Sequence, residues 1–255
     1  MSETNIDQNM DEIEEEMEVE SKDSNQSAKF LPNEAQLSEI QKLIIHCDIE
    51  QLNTFITEND LDVANFIMPN DQKQNLLYYA IEKVKNQSNC LKVIKELVTK
   101  HGIKGNHIDD SQQTILFHAC REGHQLVIEF LIEDCKCDVN LIDCHKQTPI
   151  YYACRENRVQ TVSKLLELNA DISNLDYQKQ TCLYYAAQKG NLEVVKMLFD
   201  HGSDINHKDS KGQSVIQIAQ RYKRTEVVEF LEANGAEIPV TWKSRAKDKR
   251  KKKTK

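Results

Sequence analysis

Apolar positions in the middle of the chain fall into pairs of short helical stretches that recur on a fixed beat. Four segments align without gaps: "QTILFHACREGHQLVIEFLIE" from Gln113, "QTPIYYACRENRVQTVSKLLE" from Gln147, "QTCLYYAAQKGNLEVVKMLFD" from Gln180 and "QSVIQIAQRYKRTEVVEFLEA" from Gln213. Their anchors Thr114, Thr148, Thr181 and Ser214 stand 34, 33 and 33 residues apart. A weaker copy, "QNLLYYAIE" from Gln74, puts Asn75 in the same role 39 residues before Thr114. The excess is assigned to a longer turn around Lys83–Cys90. Residues 36–57 read as a degenerate first pair.

The local chemistry fits two helices per copy. Thr114, Thr148, Thr181 and Ser214 suit an N-cap, where a hydroxyl accepts from orphan amides. Pro149 stands at the first helical position, where a missing N–H costs nothing. Ala80, Ala119, Ala153, Ala186 and Ala219 allow close approach of a neighbouring helix. Gly123 and Gly190, with Asn157 as a stand-in, permit a left-handed turn between the helices. Leu192, Val194, Val195, Leu198 and Phe199 show the apolar spacing of a second helix. Gly102, Gly202, Gly235 and Asn169 stand where a helix end needs positive φ. "DVNLID", "DISNLD" and "DINHKD" then run extended into the next copy. One such unit cannot bury its own apolar face, whereas a stack can.

This pattern resembles the ankyrin repeat, with "TPIYYA" at 148–153 nearest the family core T-P-L-H-x-A. The resemblance covers roughly residues 36–238. It departs from the family in several places. Pro149 occurs in one unit alone. The family His is replaced by Tyr78, Phe117, Tyr151, Tyr184 or Gln217, and the hairpin Gly survives at Gly212, with Gln112, Lys146 and Lys179 elsewhere. Lys223, Gln217 and Gln220 mark the last unit as a cap. The resemblance implies an all-α solenoid of about five to six repeats, with short inner helices lining a concave groove, longer outer helices and hairpin fingers. It also implies protein binding by the concave face.

Composition refines this picture. With 7 Gly and 4 Pro in 255 residues, an all-β fold is disfavoured. No apolar run of about 18 residues is present, so no membrane span is expected. The eight Cys follow no regular framework, which suits free thiols in a reducing, nuclear or cytoplasmic compartment. Charge is segregated. Residues 1–24 hold ten acids against Lys22, and residues 240–255 hold nine bases against Asp248. Such runs stay solvated. The expected organisation is an acidic, disordered tail at 1–34, a repeat body at 35–239 and a basic, disordered tail at 240–255.

In the repeat motif, the position expected to face the groove holds Tyr79, His118, Tyr152, Tyr185 and Ile218. Aromatic rings there provide contact area at low entropy cost. Glu122, Glu156 and Lys189 follow one turn later on the same face. The alternative is that these rings pack the stack. The preceding residues Tyr78, Phe117, Tyr151 and Tyr184 are expected between units, with hydroxyls on nearby acceptors.

"CKCDVNLIDCH" brings Cys135, Cys137, Cys144 and His145 close in sequence, but without the two-residue gap of paired zinc cysteines. Cys120 and Cys154 match Ala187 and read as core. No nucleophile elbow, metalloprotease helix or phosphate loop is present, so neither enzyme nor cofactor is expected. The tail residues Lys243, Arg245, Lys247, Lys249, Arg250, Lys251, Lys252 and Lys253 suit an import receptor or phosphate contacts with nucleic acid. The overall expectation is a monomeric protein-binding adaptor. The alternatives are a nuclear or chromatin-associated subunit and a regulatory subunit of an enzyme on another chain.

Overall fold

A computed structural model describes residues 29–237. These form twelve helices, with two isolated β-bridges and no strand among the described residues. The helices pair as α1 (Glu34–His46) with α2 (Ile49–Glu58), α3 (Leu76–Lys83) with α4 (Gln87–Thr99), and α5 (Ile115–Glu122) with α6 (Gln125–Glu133). The remaining pairs are α7 (Pro149–Arg155) with α8 (Val159–Glu167), α9 (Cys182–Lys189) with α10 (Leu192–Asp200), and α11 (Val215–Arg221) with α12 (Thr225–Ala233). From the second unit on, the first helix of each pair is the shorter inner one.

Inner helices are buried nearly all round because neighbours flank them on both sides. In α5, Ile115, Leu116, Phe117, Ala119 and Cys120 are buried. Ala80, Ala119, Ala153, Ala186 and Ala219 are fully covered where successive inner helices meet. Outer helices bury one stripe, such as Val194, Val195 and Leu198 of α10. Each buried branched side chain contributes about 1.5–3 kcal/mol. The core is one continuous cluster from Leu37 to Ala236, so each unit is stabilised mainly by its neighbours.

Three expectations change. The five extra residues before Thr114 do not lie chiefly in a turn. The link between α3 and α4 is one residue longer than that between α5 and α6, while α4 has 13 residues against 9 in α6. The threonines do sit at N-caps in extended backbone, but Thr181 alone among them caps through its hydroxyl, at 3.4 Å from the Tyr184 amide. The hydroxyls of Thr114 and Thr148 are buried without a hydrogen-bond partner. Their own carbonyls already accept from Phe117 and Tyr151, at 3.1 and 3.0 Å. Finally, defined structure starts before residue 35. The Phe30 amide donates to Asp60 at 2.9 Å, and the Asp62 amide donates to Phe30 at 2.8 Å. Asn33 caps α1 in a capping box. The rest of the two charged tails, 1–28 and 240–255, lies outside the described residues.

Gly190 and Gly202 separate backbone strain from crowding. Both have strongly positive φ, +87° and +89°. A Cβ on Gly190 would stand 2.6 Å from Cδ of Arg224, whereas one on Gly202 meets nothing within 4 Å. Arg224 uses that approach to donate from Nε to the Gln188 carbonyl at 3.0 Å. Gly202→Ala is expected to cost about 1–2 kcal/mol, the left-handed penalty alone. Gly190→Ala should cost roughly 1 kcal/mol more, by losing the arginine bond. Urea unfolding of the two variants compares them, and equal losses would show that Arg224 is not held.

Candidate functional site

The fingers between units are built around buried aspartates. Asp109, Asp143, Asp176 and Asp209 are each 2–6% exposed. In each finger, Oδ1 accepts from the backbone amides two and four residues ahead. For Asp143 these are His145 at 2.8 Å and Gln147 at 2.9 Å. The hairpin closes with the Asp143 amide on the Gln147 carbonyl, 2.9 Å. At its tip, Gln112, Lys146, Lys179 and Gly212 take positive φ. The second oxygen, Oδ2, reaches across units. Gln113 Nε2 donates to Asp143 at 3.0 Å, Gln147 to Asp176 at 3.3 Å, and Gln180 to Asp209 at 3.4 Å.

This ladder claims the rings predicted to face the groove. The Tyr152 hydroxyl donates to Asp143 Oδ2 at 2.6 Å and accepts from Gln113 Nε2 at 2.6 Å. Tyr185 repeats this with Asp176 at 2.8 Å and Gln147 at 3.0 Å. Burial pushes both hydroxyls up in pKa, and the bonded carboxylates add to the effect. Tyr152 is 6% exposed, so it is a packing residue rather than an open contact. Tyr185 and Tyr79 are half-buried, and Ile218 is buried. Where Ile218 provides no hydroxyl, Tyr184 of the preceding unit donates to Asp209 at 3.1 Å instead. His118 packs edge-on to Tyr78 at 5.0 Å and lies 2.9 Å from an Arg121 nitrogen through Nδ1. Tyr78, Phe117, Tyr151 and Tyr184 lie buried between units as expected. Tyr78 donates to the Gln113 carbonyl at 2.8 Å, and Tyr151 to that of Gln180 at 2.9 Å.

The predicted charged row is partly spent. Glu122 pairs with Lys85 at 3.3 Å and Glu156 with Arg155 at 3.4 Å, whereas Lys189 stays exposed. Between the fourth and fifth units the fingers and inner helices enclose a concavity of about 440 Å³, lined by His145, Gln147, Tyr152, Arg155, Asp176, Tyr177, Gln178 and Tyr185. Arg155 lies 4.7 Å from the Tyr152 ring centroid, and Lys146 lies 5.0 Å from that of Tyr177. Tyr177 is 66% exposed at the fingertip. The result is a rigid aromatic floor with cations above it.

A family model described as ankyrin repeats (3 copies) matches residues 31–143, 84–176, 127–209 and 170–241. The chain belongs to the ankyrin-repeat family. A comparison with curated proteins found no match. Repeats of this family are in general protein–protein interaction modules.

The ankyrin framework also explains the cysteines. Cys137 donates to the Gly105 carbonyl at 3.4 Å, and burial, with Cys135 beside it, pushes its thiol up to about 12. Cys144 is exposed at a fingertip. Among the described residues no three His, Cys, Asp or Glu side chains converge as metal ligands. Sequence reasoning overlooked Arg155, Tyr177 and the aspartates. An Asp at 109, 143, 176 and 209 and a Gln four residues later were visible on the same beat as the threonines.

Three outcomes follow for the ladder and its flanking histidine. Tyr152→Phe should lower unfolding stability by about 1.5–3 kcal/mol, the worth of a hydrogen bond to a charged acceptor, measured by urea melts. A loss below about 0.5 kcal/mol would mean that the hydroxyl bond is dispensable. Burial, with Arg121 alongside, holds His118 down at about 4, against about 6.5 when unfolded. The unfolded chain therefore takes up this proton first, and stability should fall as pH drops from about 6.5 towards 4. Asp209 adds a second, more acidic window. Burial pushes its carboxyl up, but donors from Gln213, Lys211, Tyr184 and Gln180 outweigh this and hold it low. Its contribution is present above about pH 3.9 and is lost as pH falls further. Imidazole NMR of His118 reads the first window, and a midpoint near 6.5 would show a wet ring.

Proposed function

We propose that this chain is a non-catalytic scaffold that holds an extended segment of a partner protein in the groove across its fourth and fifth units. The observation that carries the reading is the 440 Å³ concavity, with Arg155, Tyr177 and Tyr185 presented over a floor held by Asp143 and Asp176. Tyrosine and arginine dominate the energetics of many interfaces. Rings already fixed by buried hydrogen bonds lose little further entropy when a partner docks, so less of the contact energy is cancelled. The readings of residues 240–255 as an import signal or nucleic-acid contact stand apart from the groove.

The test separates binding from folding. Arg155→Glu with Tyr177→Ala changes one half-buried and one exposed residue and removes none of the ladder's hydrogen bonds. Immobilised full-length chain should lose its captured proteins with this double change, while its melting curve stays within about 0.5 kcal/mol of the parent. An unchanged set of captured proteins would remove the groove from the mechanism.

A further inference from the structure

The outer link between units changes character at the first joint. Arg158, Asn191 and Arg224 stand just before their outer helices and donate to the preceding unit at 2.8, 2.6 and 3.0 Å. Counting back from Arg158 on the same beat, 34 residues at a time, leads to His124 and then to Cys90. Because α4 is longer than its counterparts, Cys90 falls inside its first turn. Arg158 and Arg224 lie over Gly123 and Gly190, the left-handed residues that end the preceding unit's first helix. In the first unit that place is held by Cys47, the C-cap of α1, with φ +56°. The left-handed region disfavours a residue with a Cβ, and such outliers gather at functional positions. The two cysteines meet across the joint. Cys47 Sγ lies 3.6 Å from the carbonyl oxygen of Asn89, the residue bonded to Cys90. Cys90 is fully buried, and its thiol donates to the Ala80 carbonyl at 3.8 Å. Burial, with Cys47 nearby, pushes that thiol up to about 12. Cys47 is half-buried and is the sulfur of the pair that an oxidant reaches first. Cys120, Cys154 and Cys182 are fully covered. Among the described residues no buried aspartate joins the first unit to the second. Asn53 supplies the polar tie there, donating to Glu96 at 2.6 Å and lying 2.6 Å from His101 Nε2.

We propose that Cys47 and Cys90 form a reversible disulfide that latches the first unit to the second when the chain meets hydrogen peroxide. One peroxide oxygen bonds to the Cys47 sulfur, the O–O bond breaks and a first water leaves, so that Cys47 becomes a sulfenic acid. The Cys90 sulfur then attacks the Cys47 sulfur. The S–S bond forms as the S–O bond breaks, and the departing hydroxide takes the Cys90 proton as a second water. Two thiols are oxidised and one peroxide is reduced, two electrons in all. A thiol reductant reverses the step by exchange. Cys90 lies 43 residues after Cys47, and a crosslink closing such a loop restricts the opened chain. The latch is independent of the groove between the fourth and fifth units.

Full-length chain treated with stoichiometric hydrogen peroxide, alkylated and mapped by mass spectrometry provides the test. The Cys47–Cys90 peptide pair should be the first intramolecular disulfide, and dithiothreitol should remove it. Amide exchange across α1 and α2 should slow by about tenfold or more in the oxidised chain, because opening of the first unit is then tied to the second. Cys47→Ser changes the half-buried partner and should abolish both effects. Cys90→Ala should leave Cys47 as a sulfenic acid that dimedone traps. Mapping of the unaltered chain decides the matter even where the change at buried Cys90 prevents folding. Oxidation of Cys47 to a sulfinic acid with Cys90 still free overturns the proposal. So does a first intramolecular disulfide between any other pair, or exchange in α1 and α2 left unchanged by an intact Cys47–Cys90 bond.

Discussion

A carboxylate buried between two repeat units has to be satisfied from both. Asp143 shows how this is done, with two amides of its own finger on one oxygen and Gln113 and Tyr152 on the other. Leaving such a group short of donors costs more than an ordinary hydrogen bond returns. The finger therefore cannot close correctly unless the neighbouring glutamine is in register. The same side chain shapes the hairpin, sets the spacing between units and orients the ring below it. Asp176 repeats the arrangement one unit on, and backbone bonds between fingertips, such as Cys144 to Ser111 at 2.9 Å, reinforce it.

The groove inherits its rigidity from this arrangement. Tyr152 and Tyr185 stand where an interaction surface would be sought, but their hydroxyls belong to the ladder. What remains for another molecule is the exposed part of Tyr185, the fingertip ring of Tyr177 and the guanidinium of Arg155. The units on either side depart from the pattern in chemically readable ways. His118 replaces a tyrosine and turns to Arg121, while Ile218 offers no hydroxyl and Tyr184 takes over. Two complete ladder rungs, at Asp143 and Asp176, are thus adjacent between the fourth and fifth units.

The outer layer works differently. Its helices contribute one apolar stripe each and connect to the preceding unit through the residue before the helix. Arg158 donates to the Arg121 carbonyl at 2.8 Å, Asn191 to that of Cys154 at 2.6 Å, and Arg224 to that of Gln188 at 3.0 Å. The two arginines reach helix-end carbonyls that the backbone leaves open, whereas the Cys154 carbonyl also accepts from the Asn157 amide at 3.4 Å. Where the bond comes from arginine, a glycine lies beneath it at position 123 or 190. Asparagine is shorter, and Asn157 stands in the glycine's place there with φ +55°.

The two-helix unit, its beat, the positive-φ positions and the buried ring row were legible along the chain. Each depends on local backbone geometry or on a periodicity that neighbouring residues already express. The length of α4 was misplaced because a longer helix and a longer turn give the same count between anchors. The hydroxyls of Thr114 and Thr148 were credited with capping because sequence does not reveal how far a hydroxyl stands from the amide that its own carbonyl accepts. Which tyrosine is structural and which is open could not be read from 152 and 185, since both have the same residue type and motif position. That depends on how far each finger covers the ring, a contact between residues some thirty positions apart that exists once the layers are stacked.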